Sequence, residues 1–162
     1  MTIKVGDKLP KATFTVMTGE GPKPRTTDEI FSGRKVVLFG LPGAFTPTCH
    51  RNHLPGYAAH QTDFKAKGVE EIAVVSVNDV FVMDAWEKAT GSTGKVSFLA
   101  DGSAAFAKAC GLVLDLTERG MGVRSQRYSM LVDDGVVKKL NLEDAPAGAE
   151  LSSGAEALLR QM

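Results

Sequence analysis

Two short runs constrain this chain more than anything else in it: Lys35-Val36-Val37-Leu38-Phe39-Gly40 and Ile72-Ala73-Val74-Val75-Ser76-Val77. Each is apolar almost without alternation, the pattern of a strand buried on both faces, and such strands belong at the centre of a sheet covered by helices on both sides. The sequence around them reads accordingly. Ala12 to Met17 alternates with period two and predicts a strand, and Gly19 to Pro24 reads as a turn-rich break. Cys49 to about Lys67 has helical composition, with a kink or break expected at Pro55-Gly56. Asn78-Asp79 supplies a cap for a helix through Trp86 that turns Val80, Met83 and Trp86 inward. Val96 to Ala100 predicts a short strand, and Ser103 is expected to cap a helix ending at Gly111. Asp133-Asp134-Gly135 between Tyr128–Val132 and Val136–Leu140 is a hairpin pattern, because the turn requires positive φ. Asn141 to Ser153 reads as a surface connection, and a last helix is expected near Ser152 to Arg160.

Strands alternating with helices, then a hairpin, then a helix, make an α/β fold: a mixed central sheet flanked by helices, thioredoxin-like, with an N-terminal extension. The length of 162 residues suits a single domain over 1–162. Right-handed crossovers start the helix that follows Cys49 at the carboxyl end of the Lys35–Gly40 strand. Acids and bases balance at 19 each, so no excess positive charge exists to drive binding to phosphates, which argues against a nucleic-acid role. No apolar run approaches the ~18 residues of a membrane span. The opening Met1-Thr2-Ile3-Lys4-Val5-Gly6-Asp7 lacks the apolar stretch of a signal peptide, so the expected location is cytoplasmic.

Chemistry is concentrated in Leu41-Pro42-Gly43-Ala44-Phe45-Thr46-Pro47-Thr48-Cys49-His50, which leaves a buried strand and opens a helix. Pro42 and Pro47 stiffen the connection, and Gly43 allows a tight turn. Cys49 falls in the first helical turn, where free N–H groups and the positive dipole end stabilise a thiolate; such settings lower a cysteine pKa from ~8.5 to between ~3.5 and 7.5. Thr46 lies three residues earlier, so its hydroxyl can fold back towards the sulfur. The residue types leave other readings open. Cys49 could be a small buried hydrophobe. With His50 and His53 it could form part of a zinc site or a Cys–His nucleophile pair, although zinc needs four ligands and no second cysteine is near in sequence. His53 otherwise reads as a packing residue beneath the turn, and Cys110, i,i+4 from Phe106, as core.

Pro42, Thr46 and Cys49 reproduce P-x-x-x-T-x-x-C, the active-site pattern of the peroxiredoxins, and the chain resembles their type II (peroxiredoxin-5-like) branch. The likeness extends through Thr46–Gly56, through Val75-Ser-Val-Asn-Asp-Val-Phe-Val-Met-Asp-Ala-Trp86 and through Ser125-Gln-Arg-Tyr-Ser-Met130. It implies a thiol-dependent peroxidase that reduces hydrogen peroxide and alkyl hydroperoxides through a sulfenic acid, without metal or organic cofactor. Cys49 matches the peroxidatic cysteine. Thr46 matches the threonine that hydrogen-bonds thiolate and peroxide, Pro42 the proline shielding the sulfenic acid, and Arg127 the arginine completing the pocket. The substrate-binding set is then Thr46, Thr48, Cys49 and Arg127. Positions where relatives carry a resolving cysteine, Ile72–Val75 and Leu151–Ser153, are thiol-free here. One-cysteine recycling by glutathione and glutaredoxin, or by thioredoxin, is therefore expected, as is a homodimer with Met121 and Phe81 near its interface. A redox-sensing or holdase role, in which Cys49 oxidation switches binding, is the rival class; it calls for a resolving partner and a bistable element that the sequence does not mark.

Overall fold

A computed structural model describes residues 1–144 and 152–162. Among the described residues, seven strands form one sheet in the order β2 (Gly21–Thr26), β1 (Thr13–Thr18), β5 (Ser97–Ala100), β4 (Glu71–Ser76), β3 (Lys35–Leu41), β8 (Tyr128–Asp133), β9 (Val136–Leu142), and β6 (Val113–Leu116) with β7 (Gly122–Ser125) forms a separate antiparallel pair. Strand β3 (Lys35–Leu41) lies inside the sheet, parallel to β4 (Glu71–Ser76) and antiparallel to β8 (Tyr128–Asp133). Strand β5 (Ser97–Ala100) pairs with β4 in parallel and, on its other side, with β1 (Thr13–Thr18) antiparallel. The sheet is thus mixed and flanked by helices on both faces, as its two apolar runs require.

Alternation along β3 divides the core. Val37, Phe39 and Leu41 pack with α2 (Leu54–Ala59), α3 (Gln61–Ala66), α4 (Val80–Thr90) and α6 (Ala155–Gln161), in the layer that holds Cys49. Val36 and Leu38 point the other way and pack with α1 (Thr27–Phe31) and α5 (Ala105–Cys110), in the layer that holds Cys110.

Several local expectations are corrected. Gly19 to Pro24 is not only a break: β2 (Gly21–Thr26) pairs with β1 along its whole length. Its prolines, Pro22 and Pro24, are tolerated because β2 is an edge strand and residues two apart turn their missing N–H to the same, unpaired side. The long helical stretch does not break at Pro55-Gly56. A π-helical turn spans Cys49–His53, closed by Leu54 N–H donating to the Cys49 carbonyl, and Pro55 enters at the start of α2, where the bonding register changes. The break falls at His60, whose φ of −98° and ψ of 14° leave the helical region. Asp79 caps α4 by accepting from Val82 N, but the helix runs past Trp86 to Thr90 and stops at Gly91 in a left-handed conformation. Ser103 does not cap α5; Ala104 occupies that position, and the Asp101 carboxylate accepts from Phe106 N and Ala107 N instead. The hairpin of β8 with β9 (Val136–Leu142) forms around Asp134 and Gly135, both at positive φ. The surface connection expected over 141–153 is shorter than that, since β9 continues to Leu142 and Ser153 is buried; residues 145–151 lie outside the described residues.

Candidate active site

The sheet sets the site. Gly40 of β3 pairs with Tyr128 of β8, so the residue before Tyr128 arrives beside the carboxyl end of β3, where the chain enters the Pro42–Cys49 turn. That residue is Arg127. The approach depends on Gly40, because a Cβ there would lie 2.3 Å from the Tyr128 ring. Arg127 is not within a strand; it sits at the junction between β7 (Gly122–Ser125) and β8.

Cys49 is fully buried in the first turn of the helix that opens at Pro47. Arg127 Nη2 donates to Cys49 Sγ at 3.2 Å, and Arg127 Nη1 lies 3.0 Å from His53 Nδ1. Burying a guanidinium is costly unless its donors are satisfied, and here sulfur and imidazole satisfy two of them. His53 is completely buried, and its Nε2 lies 3.1 Å from the Ser153 carbonyl. A carbonyl only accepts, so Nε2 carries the proton and Nδ1 is left to accept from Arg127. Burial, reinforced by the Arg127 charge, pushes the His53 pKa down to about 3, so the ring is neutral at ordinary pH.

Thr46 departs from the sequence expectation in one respect. Its hydroxyl donates to the Gly43 carbonyl at 2.7 Å, so the proton is committed there and Oγ1 presents lone pairs rather than a donor. A pocket of about 160 Å³ opens onto Thr46 and Arg127, walled by Pro42, Pro47, Thr48, Leu116, Arg119 and Met121. Its lining is mostly apolar and includes Arg127, whose guanidinium touches the sulfur; Cys49 itself does not line it. A larger groove of about 410 Å³, near the Arg25–Glu71 ion pair, is lined by neither Cys49 nor Arg127.

Other residues hold this turn in place, and sequence reasoning did not find them. Arg124 donates to the Pro42 and Met121 carbonyls, tying two walls of the pocket together; Gly43 leaves room for it, since a Cβ there would meet Arg124 Nη1 at 2.8 Å. Asn78, expected as part of a cap, instead accepts from Ala44 N and Ser76 Oγ. The Trp86 indole donates to His50 Nδ1 at 3.0 Å, which turns His50 away from the Cys49–Arg127 contact. The two histidines are thus separated in role, and among the described residues no cluster of three histidine, cysteine or carboxylate groups could hold a metal. Arg127 was expected from the resemblance through Ser125–Met130, and the structure brings its guanidinium to the sulfur; Arg124 carried no local signal.

Cys110 lies across the sheet, buried against Phe106, and burial together with Asp101 pushes its thiol up to about 12.

The Redoxin family model matches residues 4–159. Peroxiredoxin-2E-2, chloroplastic, of Oryza sativa is 50% identical over 99% of this chain and 73% of its own length. Peroxiredoxin-2C of the same plant is 45% identical over 99% of this chain and 98% of its own. Among solved structures, reduced Prx3 of Vibrio vulnificus in complex with hydrogen peroxide superposes with a TM-score of 0.93 at 48% identity, covering 99% of both chains.

Proposed function

The chain belongs to the redoxin family and, within it, to the type II peroxiredoxins, thiol-dependent peroxidases, and on that premise we propose that Cys49 is the thiolate that attacks the peroxide. The observation that carries the assignment is Arg127, 2% exposed, with its guanidinium 3.2 Å from Sγ, in the lining of a pocket open to solvent. Sγ attacks the terminal oxygen of R–O–OH. The S–O bond forms as the O–O bond breaks, both electrons of that bond leave with the distal oxygen, and the departing alkoxide or hydroxide is protonated by water. Cys49 becomes a sulfenic acid. Negative charge moves from sulfur to the leaving oxygen, and a permanently charged, preorganised donor set such as Arg127 lowers that barrier. Thr46 Oγ1 accepts a hydrogen bond from the hydroperoxide O–H, whose proton stays on the transferred oxygen, and aligns the O–O bond with the sulfur. Buried Pro42 keeps water from the sulfenic acid, and Thr48 lines the substrate path.

Substrates are hydrogen peroxide, as named for the Vibrio vulnificus complex, and alkyl hydroperoxides, whose tails suit Leu116 and Met121 at the pocket wall. Recycling uses an outside thiol. Glutathione condenses with the sulfenic acid to release water and leave a mixed disulfide, which a second glutathione, with glutaredoxin, or thioredoxin reduces. The position of Cys110 on the opposite face of the sheet supports this one-cysteine route. A reducing compartment such as the cytoplasm suits a thiol that must return to its reduced form. A homodimer with the exposed Phe81 and Met121 of the pocket wall near its interface completes the reading. The test is peroxide consumption with a thiol reductant: the wild type turns over, Cys49→Ser does not, and more than a few per cent residual activity overturns the assignment.

A further inference from the structure

We propose that Glu143 is a positioning residue for the Cys49–Arg127 pair, acting from outside the pocket through the Ser153 carbonyl and His53. The inference rests on the reading that Cys49 is the reacting thiol.

Glu143 is 5% exposed and follows the end of β9. Among the described residues its carboxylate meets four donors on Ser152 and Ser153: Oε1 takes Ser152 N and Ser152 Oγ, both at 3.0 Å, and Oε2 takes Ser153 N at 2.9 Å and Ser153 Oγ at 2.6 Å. Its own amide donates to the Arg127 carbonyl at 3.0 Å, so the clamp is fastened to the backbone of the arginine it serves. The clamp fixes the Ser153 carbonyl, and that carbonyl receives two donors from the Cys49 helix: Tyr57 Oη at 2.6 Å and His53 Nε2 at 3.1 Å. Tyr57 is itself held in a stack between Phe39 and Phe64.

This sets the chemistry of His53. With Nε2–H committed to Ser153, Nδ1 must be the acceptor for Arg127 Nη1. A guanidinium is planar and rigid, so fixing Nη1 aims Nη2, and Nη2 is the group 3.2 Å from Sγ. If the Ser153 carbonyl were free to move, His53 could take the other tautomer, which would set N–H against N–H and turn the fork away from the sulfur. Four converging donors call for a carboxylate; a glutamine would offer one acceptor oxygen and oppose an NH₂ to a serine N–H.

Position and charge predict opposite signs. If Glu143 acted only through its negative charge, neutralising it would increase the thiolate fraction of Cys49. A positioning role predicts a decrease, because Arg127 loses its aim. The experiment measures, in full-length Glu143→Gln, the thiolate absorbance of Cys49 at fixed pH and the second-order rate of Cys49 oxidation by hydrogen peroxide. The expected result is a lower thiolate fraction and a rate reduced roughly tenfold or more, with Glu143→Asp recovering part of both. An unchanged or raised thiolate fraction, or an unchanged rate, overturns the proposal. Should Glu143→Gln not fold, the Ser152→Ala/Ser153→Ala double variant, which keeps the carboxylate and loses two of its donors, must show a smaller change in the same direction. Ring nitrogen NMR of the wild type adds an independent criterion: His53 must be the Nε2–H tautomer, and Nδ1–H overturns the proposal. Absence of peroxide oxidation at Cys49 in the wild type would instead defeat the underlying reading.

Discussion

Arg127 Nη2 and Cys49 Sγ lie 3.2 Å apart although 78 positions of sequence separate them, and the guanidinium reaches the sulfur from a strand junction rather than from the helix that carries the thiol. The contact therefore depends on the β3–β8 register, not on any local feature of either segment.

Arg127→Gln should leave the fold intact and slow peroxide reduction by at least about 10²-fold, the scale of losing one preorganised donor. Arg127→Lys keeps the charge but not the fork that serves His53 and Cys49 together, and is expected to recover only part of the loss. Stopped-flow oxidation rates check both; a wild-type rate in the glutamine variant would remove Arg127 from the reaction.

Thr46→Val loses the oxygen proposed to accept a hydrogen bond from the peroxide O–H and frees the Gly43 carbonyl, whereas Thr46→Ser keeps both interactions. Valine is expected to cost about 10²-fold in second-order rate, and serine only severalfold. Equal rates for the two variants would show that the hydroxyl is not used.

Cys110→Ser should leave glutathione-supported turnover nearly unchanged. Its thiol, pushed up to about 12, is protonated at neutral pH, and it faces the opposite layer from Cys49. A disulfide needs Cα atoms within about 7 Å, which the intervening sheet prevents without unfolding. Non-reducing peptide mapping after peroxide treatment should find no Cys49–Cys110 bridge; a stoichiometric bridge would make Cys110 the resolving residue.

His53 should leave a mark on stability against pH. Its folded pKa of about 3 lies below the ordinary value of 6.5, so in that interval the unfolded chain binds the extra proton. The stability it contributes is complete above about pH 6.5 and is lost as pH falls towards 3, at up to about 1.4 kcal/mol per pH unit. Denaturant titrations of wild type and His53→Gln should differ in slope over that window and run parallel above it. Identical slopes would mean that His53 titrates normally.

Phe81 is 66% exposed on the first turn of α4, and a second copy of the chain would cover its ring in the proposed homodimer. In sedimentation velocity at micromolar concentration the wild type is expected to run as the proposed homodimer and Phe81→Glu as a monomer. A monomeric wild type would refute the assembly.

Much of the frame was legible because it follows from neighbours a few residues apart. The buried runs of β3 and β4 announce central strands, Asp79 caps α4 by a local bond, and Asp134-Gly135 sets the β8–β9 turn through its φ angles. Local pattern failed where a longer-range contact overruled it. Pro22 and Pro24 look like a break until the edge position of β2 is known, and Ser103 looks like a cap until Asp101 takes that role.

What the sequence by itself determined is the placement of Cys49 in the first helical turn after a buried strand, with Pro42 and Thr46 around it, because strand periodicity and helix starts are short-range properties. Only the tertiary structure decided that the Arg127 guanidinium spans Cys49 and His53 while Arg124 ties down the Pro42 carbonyl, that His53 faces the site while His50 is held by Trp86, and that Cys110 lies across the sheet. Glu143 and Ser153 carried no local sign at all. Those outcomes turn on which face of the sheet each side chain occupies, and a shift of one residue in register exchanges the faces. No stretch of a few residues holds that information.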